Sequence, residues 1–239
     1  MNILVTGATG QLGNEIKTIT ENKKDENRYF YTNENQVDIT KKEEIAGFTE
    51  QNDIHSIINC AAYTNVDGAE DDEDNAFLLN SKAVANLAEV AKERNLLLIH
   101  ISTDYVFNGK HHLPYKETDT PNPESIYGRS KLEGENKIKE LNAGIVIRTS
   151  WLYSLTGKNF VKTIARLANE RDELKVVYDQ IGNPTHARDL AKAIVAMIDS
   201  GKDIKKGEIY HFANEGVCSW YDFAKEITEI LNLECIIHP

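Results

Sequence analysis

Short apolar runs rich in valine and isoleucine alternate with longer segments in which apolar residues recur every three or four positions. The short runs cover residues 3–5, 57–60, 96–101 and 144–148, and the longer segments cover residues 11–20, 75–94 and 127–141. Short apolar runs are typical of buried parallel strands, and the longer period is typical of helices that cover a sheet. The alternation therefore predicts an α/β fold with a Rossmann-type, doubly wound parallel sheet.

Beyond residue 150 the alternation becomes less regular. The pattern there predicts helices over 160–169 and 188–198, strands over 174–177 and 209–212, and a last helix after Ser219. We interpret this part as a small second α/β lobe that binds the substrate. The predicted organisation is a doubly wound domain over 1–150 and the lobe over 151–239.

Composition narrows the range of functions. With 239 residues, 41% of them apolar, the chain can bury a full core. Its apolar runs are much shorter than the roughly 20 residues of a membrane helix, and residues 1–7 lack the basic segment that opens a signal peptide. We therefore expect a cytoplasmic protein without a membrane partner.

The cysteines and the net charge exclude further classes. Cys60, Cys218 and Cys235 are widely spaced and contain no C-x-x-C pair, so the sequence predicts neither a disulfide framework nor a metal site. A formal net charge of -11 disfavours a nucleic-acid partner, because such binding needs basic patches. Chemistry on a small molecule is the remaining expectation.

A glycine-rich segment joins the first predicted strand to the first predicted helix. It reads Thr6-Gly7-Ala8-Thr9-Gly10-Gln11-Leu12-Gly13, with the spacing G-x-x-G-x-x-G. Gly7 permits a tight turn, Gly10 lets a pyrophosphate approach the backbone, and Gly13 lets the helix pack closely on the strand. The free amides and dipole of the helix N-terminus favour phosphates. An ordinary strand-to-helix turn could carry the same glycines, but in this context they predict an NAD(P)-binding domain over 1–150.

The residues after the second predicted strand bear on the choice between NADH and NADPH. An acidic side chain there binds the ribose 2′-hydroxyl, and a basic one binds a 2′-phosphate. Glu34 favours NADH, but its register is open, and Arg28 is the nearest arginine. Asp38 and Ile39 are placed to reach the adenine, or else Asp38 or Thr40 caps the following helix. The sequence leaves both coenzymes open.

Three polar side chains supply candidate catalytic groups. Thr103 follows the apolar run 96–101, at the carboxyl end of a strand, where open α/β sheets bind ligands. Tyr127 and Lys131 lie four residues apart and therefore on one helical face. A ketone that accepts a hydride also needs a proton, so we expect Lys131 to lower the pKa of the Tyr127 phenol and Thr103 to orient the carbonyl. A Tyr-Lys pair alone is common on helix surfaces, and its position behind the glycine turn is what predicts a reductase.

Five further segments extend the pattern over nearly the whole chain. They read NCAAYTNVD (59–67), STDYVFNG (102–109), RTSWLY (148–153), DQIGNPT (179–185) and GVCSW (216–220). With the glycine turn and the Tyr-x-x-x-Lys pair, the chain resembles the extended short-chain dehydrogenase/reductases and, among them, the dTDP-4-dehydrorhamnose reductase family. The resemblance implies reduction of the 4-keto group of dTDP-4-dehydro-6-deoxy-L-mannose by NADPH or NADH, which gives dTDP-L-rhamnose for surface polysaccharides.

The resemblance also implies roles for individual residues. Tyr127 is then the general acid, and Thr103 supplies the hydroxyl that orients the carbonyl. Lys131 lowers the pKa of Tyr127 and binds the ribose. The residues expected at the cofactor are Gly7, Gly10, Gln11, Leu12, Gly13, Asp38, Ile39, Ala61, Ala62, Tyr63, Tyr127 and Lys131. The residues expected at the sugar nucleotide are Thr103, Asp104, Tyr105 and Trp151. From the residues alone, Trp151 could equally belong to the core and Asp104 to a turn, and residues 180–185 either shape the nucleotide pocket or form a tight turn.

Two alternatives and one departure from the family pattern stay open. Related sugar-nucleotide epimerases and dehydratases keep the Tyr-Lys pair, although dehydratases usually have an acidic residue where this chain has Tyr105. A non-catalytic cofactor-binding subunit, like the one that associates with methionine adenosyltransferase, is the second alternative. Family members usually continue for several dozen residues beyond the last helix, whereas this sequence ends at Pro239. We expect the nucleotide-sugar half, and the contact of a possible homodimer, to depend on that tail.

Overall fold

A six-stranded parallel sheet forms the centre of the computed structural model, which describes residues 1–21, 23, 27–201 and 204–239. The strands are β1 (Asn2–Thr6), β2 (Arg28–Tyr31), β3 (Ser56–Asn59), β4 (Leu97–Thr103), β5 (Gly144–Thr149), β6 (Leu152–Tyr153), β7 (Glu173–Lys175), β8 (Ile181–Gly182), β9 (Thr185–His186), β10 (Ile209–His211), β11 (Cys218–Ser219) and β12 (Ile236–His238). The sheet has the order β10-β5-β4-β3-β1-β2, and all its pairs are parallel. The predicted Rossmann-type sheet is confirmed.

Helices cover both faces of this sheet. They are α1 (Gln11–Thr20), α2 (Lys42–Gln51), α3 (Gly68–Asp71), α4 (Glu73–Phe77), α5 (Ala83–Glu93), α6 (Ile126–Leu141), α7 (Phe160–Glu170), α8 (Ala187–Asp199) and α9 (Trp220–Ile230). Side chains alternate between the two faces of a strand, so Leu4 packs with α2, α5 and α6, whereas Ile3 and Val5 pack with α1 and α8. Within the described ranges, no helix combines the length and apolarity that crossing a membrane requires.

The strand order reverses direction between β1 and β3. The strand β2 follows on one side of β1, while β3, β4, β5 and β10 follow on the other. The loops that leave β1 and β3 therefore diverge at the carboxyl edge of the sheet and open a crevice, which is the usual ligand site of such sheets.

A second, smaller apolar cluster lies in the later part of the chain. It joins Ile164 of α7, Leu174 of β7 and Ile227 of α9. Between these elements the chain returns to the main sheet, because α8 packs on the face covered by α1 and β10 pairs with β5. The range 151–239 thus contains a lobe and also two elements of the sheet layers. Where the boundary between the two domains falls stays a prediction.

The segment predicted as one helix over 75–94 is interrupted. A π-helical turn over Leu78–Lys82 separates α4 from α5. The buried side chain of Asn80 in this turn accepts a hydrogen bond from the Tyr63 amide at 2.9 Å and donates to the Tyr63 carbonyl at 3.0 Å. These long-range bonds stabilise the extra residue of the turn, and apolar periodicity does not encode them.

Candidate active site

A cleft of about 730 Å³ opens at the carboxyl edge of the sheet. Its walls are the glycine turn after β1, the loops after β2 and β3, the ends of β4 and β5, and helix α6. Nearly all of the residues predicted for the cofactor and the substrate line this cleft, and the exceptions are Gly13 and Tyr63. The topological switch point and the predicted site therefore coincide.

The three glycines of the turn have different surroundings. Gly7 has a φ of +64°, and a Cβ there would lie 2.5 Å from the Ala61 nitrogen. A Cβ on Gly13 would lie 2.6 Å from the Gly7 oxygen, so this glycine lets α1 approach the turn. A Cβ on Gly10 would meet only that same oxygen, at 3.3 Å, and Gly10 lines the cleft. Gly7 and Gly13 therefore serve the packing of the turn, whereas Gly10 leaves room for a ligand.

The N-terminus of α1 lies at this end of the cleft. Its N-cap residue is Gly10, no side chain caps the helix, and its first turn has no acidic residue. Gln11 and Leu12 begin the helix and line the cleft. Helix N-terminal amides that no side chain caps attract anions. The residues present thus fit the pyrophosphate of a dinucleotide.

The loops after β2 and β3 form the adjoining walls. Asp38, Ile39, Ala61 and Ala62 line the cleft, as predicted. Helix α2 begins at Lys42 with Lys41 as its N-cap residue, so the alternative in which Asp38 or its neighbour Thr40 caps the helix is wrong.

The side chain of Asp38 instead closes the turn that precedes α2. Its Oδ1 accepts hydrogen bonds from the Thr40 amide at 3.0 Å and from the Thr40 hydroxyl at 2.7 Å. These two bonds lower the pKa of Asp38. Asp38 therefore carries a negative charge in this wall at neutral pH.

The three candidate catalytic residues meet at the middle of the cleft. Thr103 ends β4, and Tyr127 and Lys131 lie in the first turns of α6, where the Ser125 hydroxyl accepts a hydrogen bond from the Gly128 amide and caps the helix. Lys131 is only 2% exposed, and its Nζ donates to the carbonyl oxygen of Ile101 at 2.6 Å. The predicted clustering of these side chains is present in the fold, and their catalytic roles stay predictions.

The pKa of Tyr127 differs in direction from the sequence-based expectation. Burial raises it to about 12, and a hydrogen bond with Thr103 only partly opposes this effect. Burial likewise lowers the pKa of Lys131 to about 8. The expected lowering of the Tyr127 pKa by Lys131 is therefore wrong for the protein alone, because burial has the largest effect on this phenol and raises its pKa. Tyr127 retains its proton at neutral pH.

Asp104 and Tyr105 stand beside these groups. Burial raises the pKa of Asp104 to about 6, although the Thr103 hydroxyl donates to its Oδ1 at 3.3 Å. The ring of Tyr105 packs edge-on against Tyr127, with centroids 5.7 Å apart. The expected substrate contacts thus share a wall with the expected proton donor.

Trp151 has a left-handed backbone, with a φ of +44°, and lies between β5 and β6. Its ring stacks on Trp220 at a centroid separation of 3.5 Å, and a Cβ on Gly182 would lie 2.6 Å from the indole. Both tryptophans are half-buried and line the cleft, so Trp151 is not a residue of the sealed core. A bulky residue rarely has this φ, so the surrounding packing must hold it there.

Several cleft residues were not expected from the sequence. Trp220 begins α9, and its only signal is that it ends the segment GVCSW. Ser102 and Thr149 line the cleft with hydroxyl oxygens that are buried and lack a hydrogen-bond partner in the described part of the chain. Their positions at strand ends were the available signal. These hydroxyls can bond to a polar group of a ligand.

Two comparisons place the chain among known proteins. A family model described as the RmlD substrate binding domain matches residues 1–236. The sequence is 43% identical over 227 residues to a dTDP-4-dehydrorhamnose reductase of Aggregatibacter actinomycetemcomitans, covering 93% of this chain and 76% of that protein. The chain belongs to the dTDP-4-dehydrorhamnose reductase family. It is also 39% identical over 236 residues to the spore coat polysaccharide biosynthesis protein SpsK of Bacillus subtilis, covering 98% of this chain and 81% of that protein.

Solved structures of dTDP-4-dehydrorhamnose reductases have the same fold. The enzyme of Clostridium acetobutylicum superposes with a TM-score of 0.93 at 41% identity, covering 100% of this chain and 83% of that one. The enzyme of Bacillus anthracis, in complex with NADP, superposes with a TM-score of 0.92 at 40% identity and the same coverage. The expected family and fold are confirmed.

Proposed function

We propose that this chain uses NADPH or NADH to reduce the 4-keto group of dTDP-4-dehydro-6-deoxy-L-mannose, which gives dTDP-L-rhamnose. Its membership of the dTDP-4-dehydrorhamnose reductase family supports the reaction and the substrate class. The observation that carries the proposal is the meeting of Thr103, Tyr127 and Lys131 in a cleft that ends at the uncapped N-terminus of α1. One cleft thus offers a phosphate site and a proton donor.

Residues of the cleft would hold the cofactor as follows. The backbone at Gly10, Gln11 and Leu12 binds the pyrophosphate, and Lys131 binds the nicotinamide ribose. A bound dihydronicotinamide supplies the hydride. Glu34 lines the cleft in the loop after β2, and none of the described lining residues of that loop is arginine or lysine. This end of the cleft therefore suits a free 2′-hydroxyl better than a 2′-phosphate. We therefore expect NADH to be used at least as well as NADPH.

The proton would come from Tyr127. Because burial keeps its pKa at about 12, the phenol is protonated at neutral pH and can give its proton to the substrate oxygen as negative charge develops there. The hydroxyl of Thr103, which lines the same cleft, orients that oxygen. After the transfer, the positive charge of Lys131 stabilises the phenolate. A proton from water then restores the phenol.

The sugar would lie between the catalytic groups and the tryptophan wall. We propose that Trp151 presents its ring to the apolar face of the pyranose, and that Asp104 and Tyr105 bind its polar edge. The two tryptophans and these two polar side chains lie in the same cleft as Tyr127, which supports this placement.

The test is a spectrophotometric assay. The keto-sugar is generated freshly with the upstream epimerase, and the loss of absorbance of NADPH, and separately of NADH, is followed after the purified chain is added. We expect repeated turnover with at least one coenzyme. Comparison of the two rates decides the coenzyme preference.

Other outcomes discriminate between the alternatives. Tight cofactor binding without turnover, together with capture of a partner enzyme, would support a non-catalytic subunit. Sugar products without net oxidation of the coenzyme would support an epimerase or dehydratase. Sedimentation analysis in the same buffer tests the homodimer, and fractionation of the source cells tests the cytoplasmic location. Both of these stay predictions.

A further inference from the structure

A row of buried polar side chains lies beneath the cleft. Thr6, Asn59 and His100 occupy neighbouring positions on β1, β3 and β4, and Asn59 pairs with both of the others in the sheet register. Asn59 and His100 have no exposed surface, and Thr6 is 1% exposed. Lys131 reaches the end of this row from α6, where its Nζ lies 3.3 Å from His100 Nε2. Polar groups so deeply buried must satisfy one another.

A backbone amide fixes the orientation of the Asn59 side chain. The Ala61 N–H can only donate, and it lies 3.1 Å from one terminal atom of Asn59, which must therefore be the oxygen. The Thr6 hydroxyl lies 2.6 Å from the same oxygen and can rotate to suit it. The other terminal atom of Asn59 is consequently the NH₂ group.

The orientation of Asn59 in turn fixes the tautomer of His100. The Asn59 NH₂ group can only donate, and it lies 3.0 Å from His100 Nδ1, which must therefore carry the lone pair. Burial, and next the charge of Lys131, lowers the pKa of His100 well below its usual range, so the ring is neutral. In a neutral imidazole with a bare Nδ1, the proton resides on Nε2. That Nε2–H is directed at Lys131.

We propose that His100 is a positioning residue that donates from Nε2 to the lone pair of Lys131 Nζ and thereby favours the neutral amine of Lys131 before the cofactor binds. If Lys131 were an ammonium, one of its N–H groups would face the Nε2–H of His100, and no hydrogen bond could form between them. A neutral amine accepts from His100 and still donates to Ile101, so both contacts of Lys131 are hydrogen bonds. Because the Ala61 amide can only donate, it fixes which atom donates and which accepts in each hydrogen bond of the row.

Among the charged groups around Lys131, Glu135 opposes this effect, but the pKa of Lys131 is still lowered overall. The titratable side chains near it are Tyr127 and Glu135 on α6, Cys60 after β3, Asp104 after β4, and Arg148 on β5. Tyr127 and Cys60 stay neutral because burial raises the pKa of each to about 12. Glu135 raises the pKa of Lys131, but its carboxylate is paired with Arg148. Asp104 ionises only above about pH 6.

This inference rests on the proposed reductase function for its catalytic meaning. Lys131 supports the reaction as an ammonium, because that form binds the ribose and stabilises the Tyr127 phenolate. The His100 Nε2–H donor lowers the pKa of Lys131 further than burial alone does. The fall in activity with rising pH should therefore begin at a lower pH. A purely structural His100 would affect stability and leave the position of this alkaline limb unchanged.

The first test needs no substrate. In protein with isotope-labelled histidines, nitrogen chemical shifts report the tautomer of each of the seven rings, and the spectrum of His100→Phe assigns the signal. We expect a neutral His100 with its proton on Nε2 from about pH 6 to about pH 8. A proton on Nδ1, or a doubly protonated ring at neutral pH, would overturn the proposal. This result is independent of whether the chain has reductase activity.

The second test exchanges the donor and acceptor roles in the hydrogen bond between residue 59 and His100. In Asn59→Asp one carboxylate oxygen still accepts from Ala61, while the other can accept from His100 Nδ1–H. We expect the His100 proton to move to Nδ1, and the alkaline limb of kcat/KM for the coenzyme, which reports the free enzyme, to move up by about one pH unit or more. The variant pair His100→Phe and Asn59→Asp/His100→Phe isolates the effect of the added charge alone. An equal rise in both backgrounds would contradict a role for the imidazole.

If Asn59→Asp does not fold, the titration of labelled lysine in the natural chain and in His100→Phe decides the matter. Burial already lowers the pKa of Lys131 to about 8. We expect the Lys131 amine signal of the natural chain to titrate at a lower pH than that of His100→Phe, and equal values in the two proteins would refute the proposal.

Discussion

The guanidinium of Arg148 donates to both carboxylate oxygens of Glu135, with 3.0 Å from Nε to Oε1 and 2.7 Å from Nη2 to Oε2. The two side chains are 3% and 2% exposed, and the guanidinium also lies 5.0 Å from the ring of Phe107. The pair therefore joins α6, which carries Tyr127 and Lys131, to strand β5.

Removing one partner of this pair should cost more than removing both. Glu135→Leu leaves a buried guanidinium without its counter-charge, and we expect a loss of about 3–5 kcal/mol in the free energy of unfolding. Glu135→Leu/Arg148→Met removes both charges and should recover most of that loss. Urea unfolding of the single and double variants measures both values. Additive losses would contradict a coupled buried pair.

The buried carboxyl of Asp104 should make stability depend on pH. Its pKa is raised to about 6 in the folded chain, so the folded state holds the proton more tightly than the unfolded one. The resulting stabilisation is complete below about pH 4 and is lost as the pH rises through about 6. Asp104→Asn, which cannot ionise, should therefore be more stable than the natural chain by about 3 kcal/mol at about pH 7.5. Urea unfolding at this pH and at about pH 4 tests this, since the difference should nearly vanish at the lower pH.

Tyr127→Phe should separate binding from chemistry. The change deletes one hydroxyl from a buried ring, so we expect the Kd for the coenzyme to change by less than about threefold while kcat falls by about 10²–10⁴. Calorimetric titration and the absorbance assay provide the two numbers. Lys131→Ala is the matched comparison and should weaken both. Equal losses of binding and turnover in Tyr127→Phe would rule out its role as the acid.

Three glycine-to-alanine changes should have three different results. Gly13→Ala places a methyl group 2.6 Å from the Gly7 oxygen and should lose about 1–3 kcal/mol of stability. Gly10→Ala meets only one atom, at 3.3 Å, so it should fold well but lose about tenfold or more in coenzyme affinity. Gly47→Ala, in the open middle of α2, should gain about 0.5–1 kcal/mol and serves as the control. Unfolding midpoints and coenzyme titrations of all three separate packing from binding.

Local patterns predicted the parts of the site that depend on short-range geometry. The glycine turn, the strand that ends at Thr103 and the spacing of Tyr127 and Lys131 are all set within one strand, turn or helix. The sheet followed from alternating periodicities for the same reason. The return of β10 to the main sheet was not predicted, because a single strand in a sequence does not indicate its partner.

The electrostatics of the site depend on three-dimensional burial. Asn59 and His100 are polar residues within apolar runs of the sequence, and this pattern alone does not show that their side chains meet. Their contact requires the register of β3 against β4, and the direction of the bonds requires the Ala61 amide as well. The pKa of Tyr127 was expected to fall and rises instead. The four-residue spacing of Tyr127 and Lys131 does not show how deeply the phenol is buried.

The stacked pair of Trp151 and Trp220 contains both tryptophans of the chain. All indole fluorescence of this protein, and any exciton signal from the pair in circular dichroism, therefore originates at one wall of the cleft. The protein has a built-in optical reporter, and a ligand that reaches this wall can be titrated by its effect on emission without any label.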